Sequence, residues 1–164
     1  MRVSRRRFVQ VGIAGSALLA GSRLLRAGAP ASETAPIEAL ANVILDGALP
    51  AAGAERAQAL RETAEAFQRA VSGLSPAVRG EVEDLLGLLR WYPTRYPLTG
   101  LASALEASTP AEIAAFLESW RRSRFDLLRA GYQALTQLLQ ASWYDNPKAW
   151  SAIGYPGPPL AMAR

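Results

Sequence analysis

The chain has 164 residues, with 18 Lys or Arg, 14 Asp or Glu, and neither Cys nor His. This length fits one domain with a modest core. The missing residue types exclude disulfides, Cys/His metal sites, cysteine-attached haem and any catalytic group that needs histidine or cysteine.

The basic residues are concentrated at the N-terminus. Residues 1–31 contain six arginines and no acidic residue, which leaves twelve basic and fourteen acidic residues in 32–164. The net charge of +4 therefore arises in the N-terminal segment, and the remainder has a net charge of −2. Without a basic stripe in that remainder, the sequence predicts no nucleic-acid partner.

Residues 1–31 have the layout of an export signal. Ser4, Arg5, Arg6 and Phe8 match the twin-arginine pattern S-R-R-x-F, and a weakly apolar run rich in Gly and Ala follows them. The segment predicts delivery to the periplasm by the Tat translocase, which transports proteins that have already folded. Both a cleaved signal and a retained anchor are compatible with the pattern.

Helical spacing of apolar residues predicts three helices in the first half of the remaining chain. They cover residues 37–49, 55–71 and 76–91. Pro50 is expected to end the first helix. Ser75-Pro76 offers a cap followed by a proline at the first helical position of the third.

The next region contains a break and then the clearest helix start. Two prolines within 92–97 predict an interruption, which a short helix over 101–107 follows. Thr109-Pro110-Ala111-Glu112 is a capping box, and the helical pattern after it continues to about Tyr144. Because this is too long for one ordinary helix, we expect a bend near Ser123–Arg124, with Gly131 as a second candidate.

No stretch alternates with the period of a strand, so the sequence predicts an all-α fold. We expect a small irregular bundle of about five helices over 32–142. Residues 143–164 are predicted to be an extended docking segment, because four aromatic residues and four prolines occur among 143–159. Trp150 and Tyr155 are costly to expose, so they should bury against the bundle or a partner.

Two side-chain clusters have alternative interpretations. Arg121, Arg122 and Arg124 can bind a phosphate or carboxylate ligand, or pair with acidic neighbours on the same helices. The aromatic residues of 91–96 and 143–155 can pack in the core or an interface, or stack on a small ligand. Packing and ion pairing are the interpretations we favour.

The signal and the C-terminal region together resemble the gluconate 2-dehydrogenase subunit 3-like family, the small subunits of bacterial flavin-dependent dehydrogenases. The resemblance is most specific in the last part of the chain. The residues that the resemblance marks for partner binding are Trp120, Arg124, Trp143, Tyr144, Pro147, Trp150, Gly154, Tyr155, Pro156, Gly157 and Pro158.

This resemblance implies a non-catalytic subunit with no cofactor of its own, in which those residues bind a partner. The implied partner is a large glucose-methanol-choline-type dehydrogenase subunit that holds FAD, oxidises a sugar, alcohol or sugar acid, and is exported while bound to the small subunit. A cytochrome c subunit often accepts the electrons. The alternative is an independent periplasmic helical protein that binds a small molecule.

Overall fold

The computed structural model describes residues 33–152 together with Gly154 and Pro156. Every regular element in this part is helical, which confirms the all-α prediction. Seven α-helices and one short 3₁₀-helix occur there, so the expected number of about five is wrong. The helices are α1 (Ala35–Ile44), α2 (Ala54–Ser72), α3 (Pro76–Arg90), α4 (Tyr92–Thr99), the 3₁₀-helix Leu105–Ala107, α5 (Pro110–Arg121), α6 (Asp126–Tyr144) and α7 (Pro147–Ala152).

Helix α1 ends earlier than the sequence predicts. It stops at Ile44, and the chain turns before it reaches Pro50. Gly47 lies in this turn with a φ of 84°, a conformation that glycine adopts without steric cost. Leu45 and Leu49 are still buried, so the apolar spacing identified core positions although the helix had already ended.

Helix α4 forms where two prolines predicted an interruption. Pro93 lies in its first turn, where a backbone N–H would have no partner within the helix. The interruption is confined to Trp91, whose extended backbone separates α3 from α4. Gly100 ends α4 in the left-handed conformation, with a φ of 76°.

The capping box and the bend are both confirmed. The side chain of Thr109 accepts a hydrogen bond from the backbone N–H of Glu112, and the Glu112 carboxylate accepts one from the backbone N–H of Thr109. Helix α5 ends at Arg121 and α6 begins at Asp126, so the chain bends beside Ser123–Arg124. It does not bend at Gly131, which lies inside α6.

The core lies among α1, α2, α5 and α6, with α6 packed against α2 and α5. Burial of these large apolar side chains removes them from water and provides the main stabilisation of the bundle. The largest fully buried apolar side chains are Leu40, Phe67, Leu89, Ile113, Trp120, Leu135 and Leu139.

The start of the C-terminal segment is more regular than expected. Trp143 and Tyr144 are the last residues of α6, and Pro147–Ala152 form α7. The prediction of an extended segment from residue 143 is therefore wrong for this stretch. Pro147 stands at the start of α7, a position that tolerates proline. Among the residues that the structure describes, no helix has the length and apolar character needed to cross a bilayer.

Candidate partner-binding surface

The corner between α6 and α7 contains five of the residues that the resemblance assigns to partner binding. Trp143 is 3% exposed and belongs to the core, whereas Tyr144 is 40% exposed and Pro147 also faces solvent. Trp150 is partly buried, and its indole N–H donates to the backbone carbonyl of Tyr144 at 2.8 Å. That carbonyl belongs to the last turn of α6, so the indole satisfies an acceptor that the helix leaves open. Gly154 is exposed.

Glu62 on α2 fastens this corner to the bundle. Lys148 Nζ lies 2.7 Å from one carboxylate oxygen of Glu62 and 3.0 Å from the other, and Asn146 Nδ2 donates at 3.0 Å. The hydrogen bond from Lys148, followed by that from Gln58, lowers the pKa of Glu62 from 4.5 to about 2. The sequence does not single out Glu62, because its partners lie more than 80 positions away along the chain.

Trp120 is a core residue in this structure. It is 2% exposed, its indole N–H donates to the carbonyl of Leu98 at 2.7 Å, and its ring packs edge-on to Phe116. Gly131 allows α6 to lie close to the indole, because a Cβ atom at that position would be 2.8 Å from Cζ3 of Trp120. The indole therefore supports the packing of α5 on α6, and a direct partner contact would require it to leave the core.

Arg124 lies in a basic corner, which we define as Arg121–Arg129. Arg121 and Arg122 both pair with Glu118, which agrees with the ion-pairing interpretation of these two residues. The guanidinium of Arg124 lies 4.8 Å from the centre of the Phe125 ring, within the range of a cation–π contact. Phe125 is 56% exposed, and no motif in the sequence marks it.

The aromatic residues of 91–96 form a second exposed group. Tyr92 and Tyr96 stack with their ring centres 6.1 Å apart, and each is more than half exposed. Beneath them Arg95 is 95% buried, and its guanidinium donates to three backbone carbonyls, those of Arg90, Leu101 and Ala102. Its charge thus ties the end of α3 to the loop after α4, a role that no local pattern indicates.

A cavity of about 520 Å³ opens between α1, α2 and α3. Its floor is formed by core residues that include Ile37, Phe67 and Leu89, and charged side chains such as Arg79 stand at its rim. The volume lies within the range of small-molecule sites, but the cavity is lined by none of the aromatic or arginine residues that the sequence indicates as ligand contacts. No group of three or more Asp or Glu side chains within 33–156 has the arrangement of a metal site.

Seven of the predicted site residues lie outside the part of the chain that the structure describes. They are Ser4, Arg5, Arg6 and Phe8 of the export signal, and Tyr155, Gly157 and Pro158 of the docking segment. Pro156 is described and exposed.

No protein-family model matches this chain, and no curated protein or solved structure matches it. The family resemblance of the signal and the C-terminal region therefore stays a prediction.

Proposed function

We propose that this chain is a non-catalytic small subunit that escorts a folded FAD-dependent dehydrogenase through the twin-arginine pathway to the periplasm. The main support is the signal-like N-terminus joined to a helical domain whose C-terminal corner is held in a fixed position. Glu62 binds both Asn146 and Lys148, while Trp150 binds the carbonyl of Tyr144. A corner fixed in this way loses little conformational entropy when a partner docks on it.

The proposed assembly contains a large glucose-methanol-choline-type subunit, which supplies FAD and the chemistry, and a cytochrome c subunit as electron acceptor. A carrier that contributes only a signal and a docking surface needs no catalytic group of its own. The twin-arginine route suits this division, because the flavoprotein folds around FAD before export and needs no signal of its own.

Export of the pair tests the escort function directly. The full-length chain and the flavoprotein subunit are expressed together, and Arg5 and Arg6 are replaced by Lys. We expect both proteins, with their FAD, to move from the periplasmic fraction to the cytoplasmic fraction. Continued export of the flavoprotein while this chain stays behind would refute the escort role.

Trp150→Ala tests the docking role of the corner. Since Trp150 is only partly buried, its loss should weaken the complex more than it lowers the stability of the free subunit. The two quantities are the dissociation constant for the flavoprotein and the free energy of unfolding of the chain alone. A larger effect on unfolding would make Trp150 an ordinary packing residue.

Binding of a small molecule is a second candidate function, favoured by the cavity between α1, α2 and α3. It predicts that the isolated chain binds a ligand without any protein partner. Gln68 lines the cavity from α2 and is exposed, so Gln68→Trp would fill the cavity and should abolish such binding while leaving association with the flavoprotein intact.

A further inference from the structure

The outward side of α6 carries no charge over about four turns. Between Arg129 and Asp145 the sequence contains no Asp, Glu, Lys or Arg. Successive residues of a helix are rotated by about 100° around its axis, and eight exposed or partly exposed residues of α6 therefore lie within one arc of roughly 140° around that axis. This outer α6 face consists of Leu127, Ala130, Gln133, Ala134, Gln137, Gln140, Ala141 and Tyr144.

The other long helices, α2, α3 and α5, place charges on their exposed sides. Helix α2 exposes Glu55, Arg61, Glu65 and Arg69 at helical spacing. Among the long helices only α6 has an exposed side without charge within the part of the chain that the structure describes, although the exposed residues of the short helix α4 are uncharged as well. Depletion of charge is a property of the centres of protein interfaces.

The opposite side of α6 packs in the core. Leu135, Leu139 and Trp143 are each no more than 3% exposed, and they face α2 and α5. The outer α6 face is therefore not needed for packing of the bundle. Its exposed residues are also not covered by any other part of the chain that the structure describes.

Large apolar side chains mark both ends of the outer α6 face. Leu127 is 57% exposed at one end beside Phe125 at 56%, and Tyr144 is 40% exposed at the other. The two ends are about 26 Å apart along the helix axis. Tyr144 also joins the face to the α6–α7 corner.

The basic corner adds an electrostatic preference at the Leu127 end. Its four arginines face only two carboxylates, those of Glu118 and Asp126, whereas residues 32–164 as a whole have a charge of −2. The basic corner attracts an acidic surface of a partner. The rest of residues 32–164, where acidic residues are in excess, repels such a surface. Such complementarity fixes the orientation of a partner and accelerates association.

We propose that the outer α6 face and the basic corner form the surface that binds the flavoprotein subunit. The facing surface of that partner carries a cluster of carboxylates opposite Arg122 and Arg124, and an uncharged patch along α6. This proposal rests on the escort function proposed above. A folded protein fits better than a lipid bilayer, because Gln133, Gln137 and Gln140 offer hydrogen-bonding groups that a hydrocarbon phase cannot satisfy.

Matched charge insertions test this surface. Ala130→Glu and Ala141→Glu place a carboxylate on the outer α6 face, whereas Ala57→Glu and Ala70→Glu place one on exposed positions of α2. All four sites are exposed helical alanines, so the thermal unfolding of each variant should stay close to that of the parent chain. We expect the α6 variants to weaken binding of the FAD-loaded partner at least tenfold and the α2 variants to leave it unchanged.

Arg124→Glu tests the basic corner in the same assay. Association of the parent chain with the flavoprotein should slow as salt rises, and the variant should associate more slowly at low salt with a weaker salt dependence. The side chain of Arg124 is exposed, so its replacement should not affect folding.

The outcomes separate the two proposals. If the parent chain binds the flavoprotein and all four glutamate variants bind equally well, the surface is wrong and the escort function stands. If the parent chain does not bind the flavoprotein, the escort function fails and this surface fails with it.

Two other results would assign the surface to a different occupant. If light scattering shows that the isolated chain is a dimer and that Ala130→Glu makes it a monomer, the surface binds a second copy of the chain, which would overturn the proposal. Flotation with phosphatidylglycerol vesicles that is lost in Arg124→Glu would assign it to a membrane and would likewise overturn the proposal.

Discussion

Replacing Gly131 with alanine would test the packing of α6 against Trp120. A Cβ atom at this position would lie 2.8 Å from Cζ3 and 3.3 Å from Cε3 of the indole, and 3.5 Å from a methyl carbon of Leu85. Carbon atoms pack best at about 3.5–4.0 Å, so the indole has to move. Its hydrogen bond to the carbonyl of Leu98 and its contact with Phe116 oppose that movement.

The expected cost follows from two opposing contributions. Alanine is favoured over glycine inside a helix by about 1 kcal/mol, and overpacking of a filled core costs about 1–3 kcal/mol. Gly80 in α3 provides the control, because no atom beyond its chain neighbours and the nearby backbone of its own helix lies within 4 Å of a Cβ atom built there. Gly80→Ala should therefore raise the free energy of unfolding by up to ~1 kcal/mol, while Gly131→Ala should leave it unchanged or lower it by up to ~2 kcal/mol.

Urea unfolding of the two purified full-length variants, followed by circular dichroism, measures this difference. Both substitutions gain the same helix preference, so the gap between the variants isolates the steric effect and should be about 1–3 kcal/mol. Equal stabilisation by the two alanines would refute the close contact between α6 and Trp120.

Three further predictions concern polar contacts. Glu62→Gln should lower stability by about 1 kcal/mol near neutral pH, a modest value because Lys148 is exposed. Folding lowers the pKa of Glu62 from 4.5 to about 2, so its contribution to the free energy of unfolding is present above pH 4.5 and disappears as the pH falls towards 2. The free energies of unfolding of parent and variant, measured in urea, should therefore converge near pH 2. Arg95→Met should lower the free energy of unfolding by about 2–4 kcal/mol in chemical denaturation, because three backbone carbonyls lose their hydrogen-bond donor. A decrease below ~1 kcal/mol would contradict the buried position of the guanidinium. Thr109→Ala should lower stability by about 1 kcal/mol through loss of the capping box. Thr109→Ser, which keeps a hydroxyl able to cap the helix, is the control in thermal unfolding.

Local sequence signals predicted much of the fold, because helix starts and apolar spacing depend on neighbouring residues. The capping box at Thr109 and the Ser75-Pro76 pair both stand where α5 and α3 begin. The same kind of signal failed at α4. There Pro93 lies in the first turn, and Arg95 donates hydrogen bonds to backbone carbonyls of the adjoining turns, which holds the segment in place.

The candidate surface depended more on the tertiary structure. The sequence identified Tyr144 and Arg124 as candidate contacts, and both are exposed. It treated Trp120 in the same way, although that ring is enclosed by the core, since a tryptophan at helical spacing has the same pattern in a core and in an interface. Phe125 and Leu127 were not distinguished from core residues, because exposure depends on which neighbours arrive from elsewhere in the chain.

The sequence by itself determined the all-α class, the separation of a basic N-terminal segment from an acidic remainder, and several helix starts, because these properties are set by composition and by residues a few positions apart. Only the tertiary structure decided that Glu62 holds Lys148 across 86 positions and that one uncharged side of α6 remains open. Each of these depends on which helix faces meet, and that choice is made by the packing of the whole core.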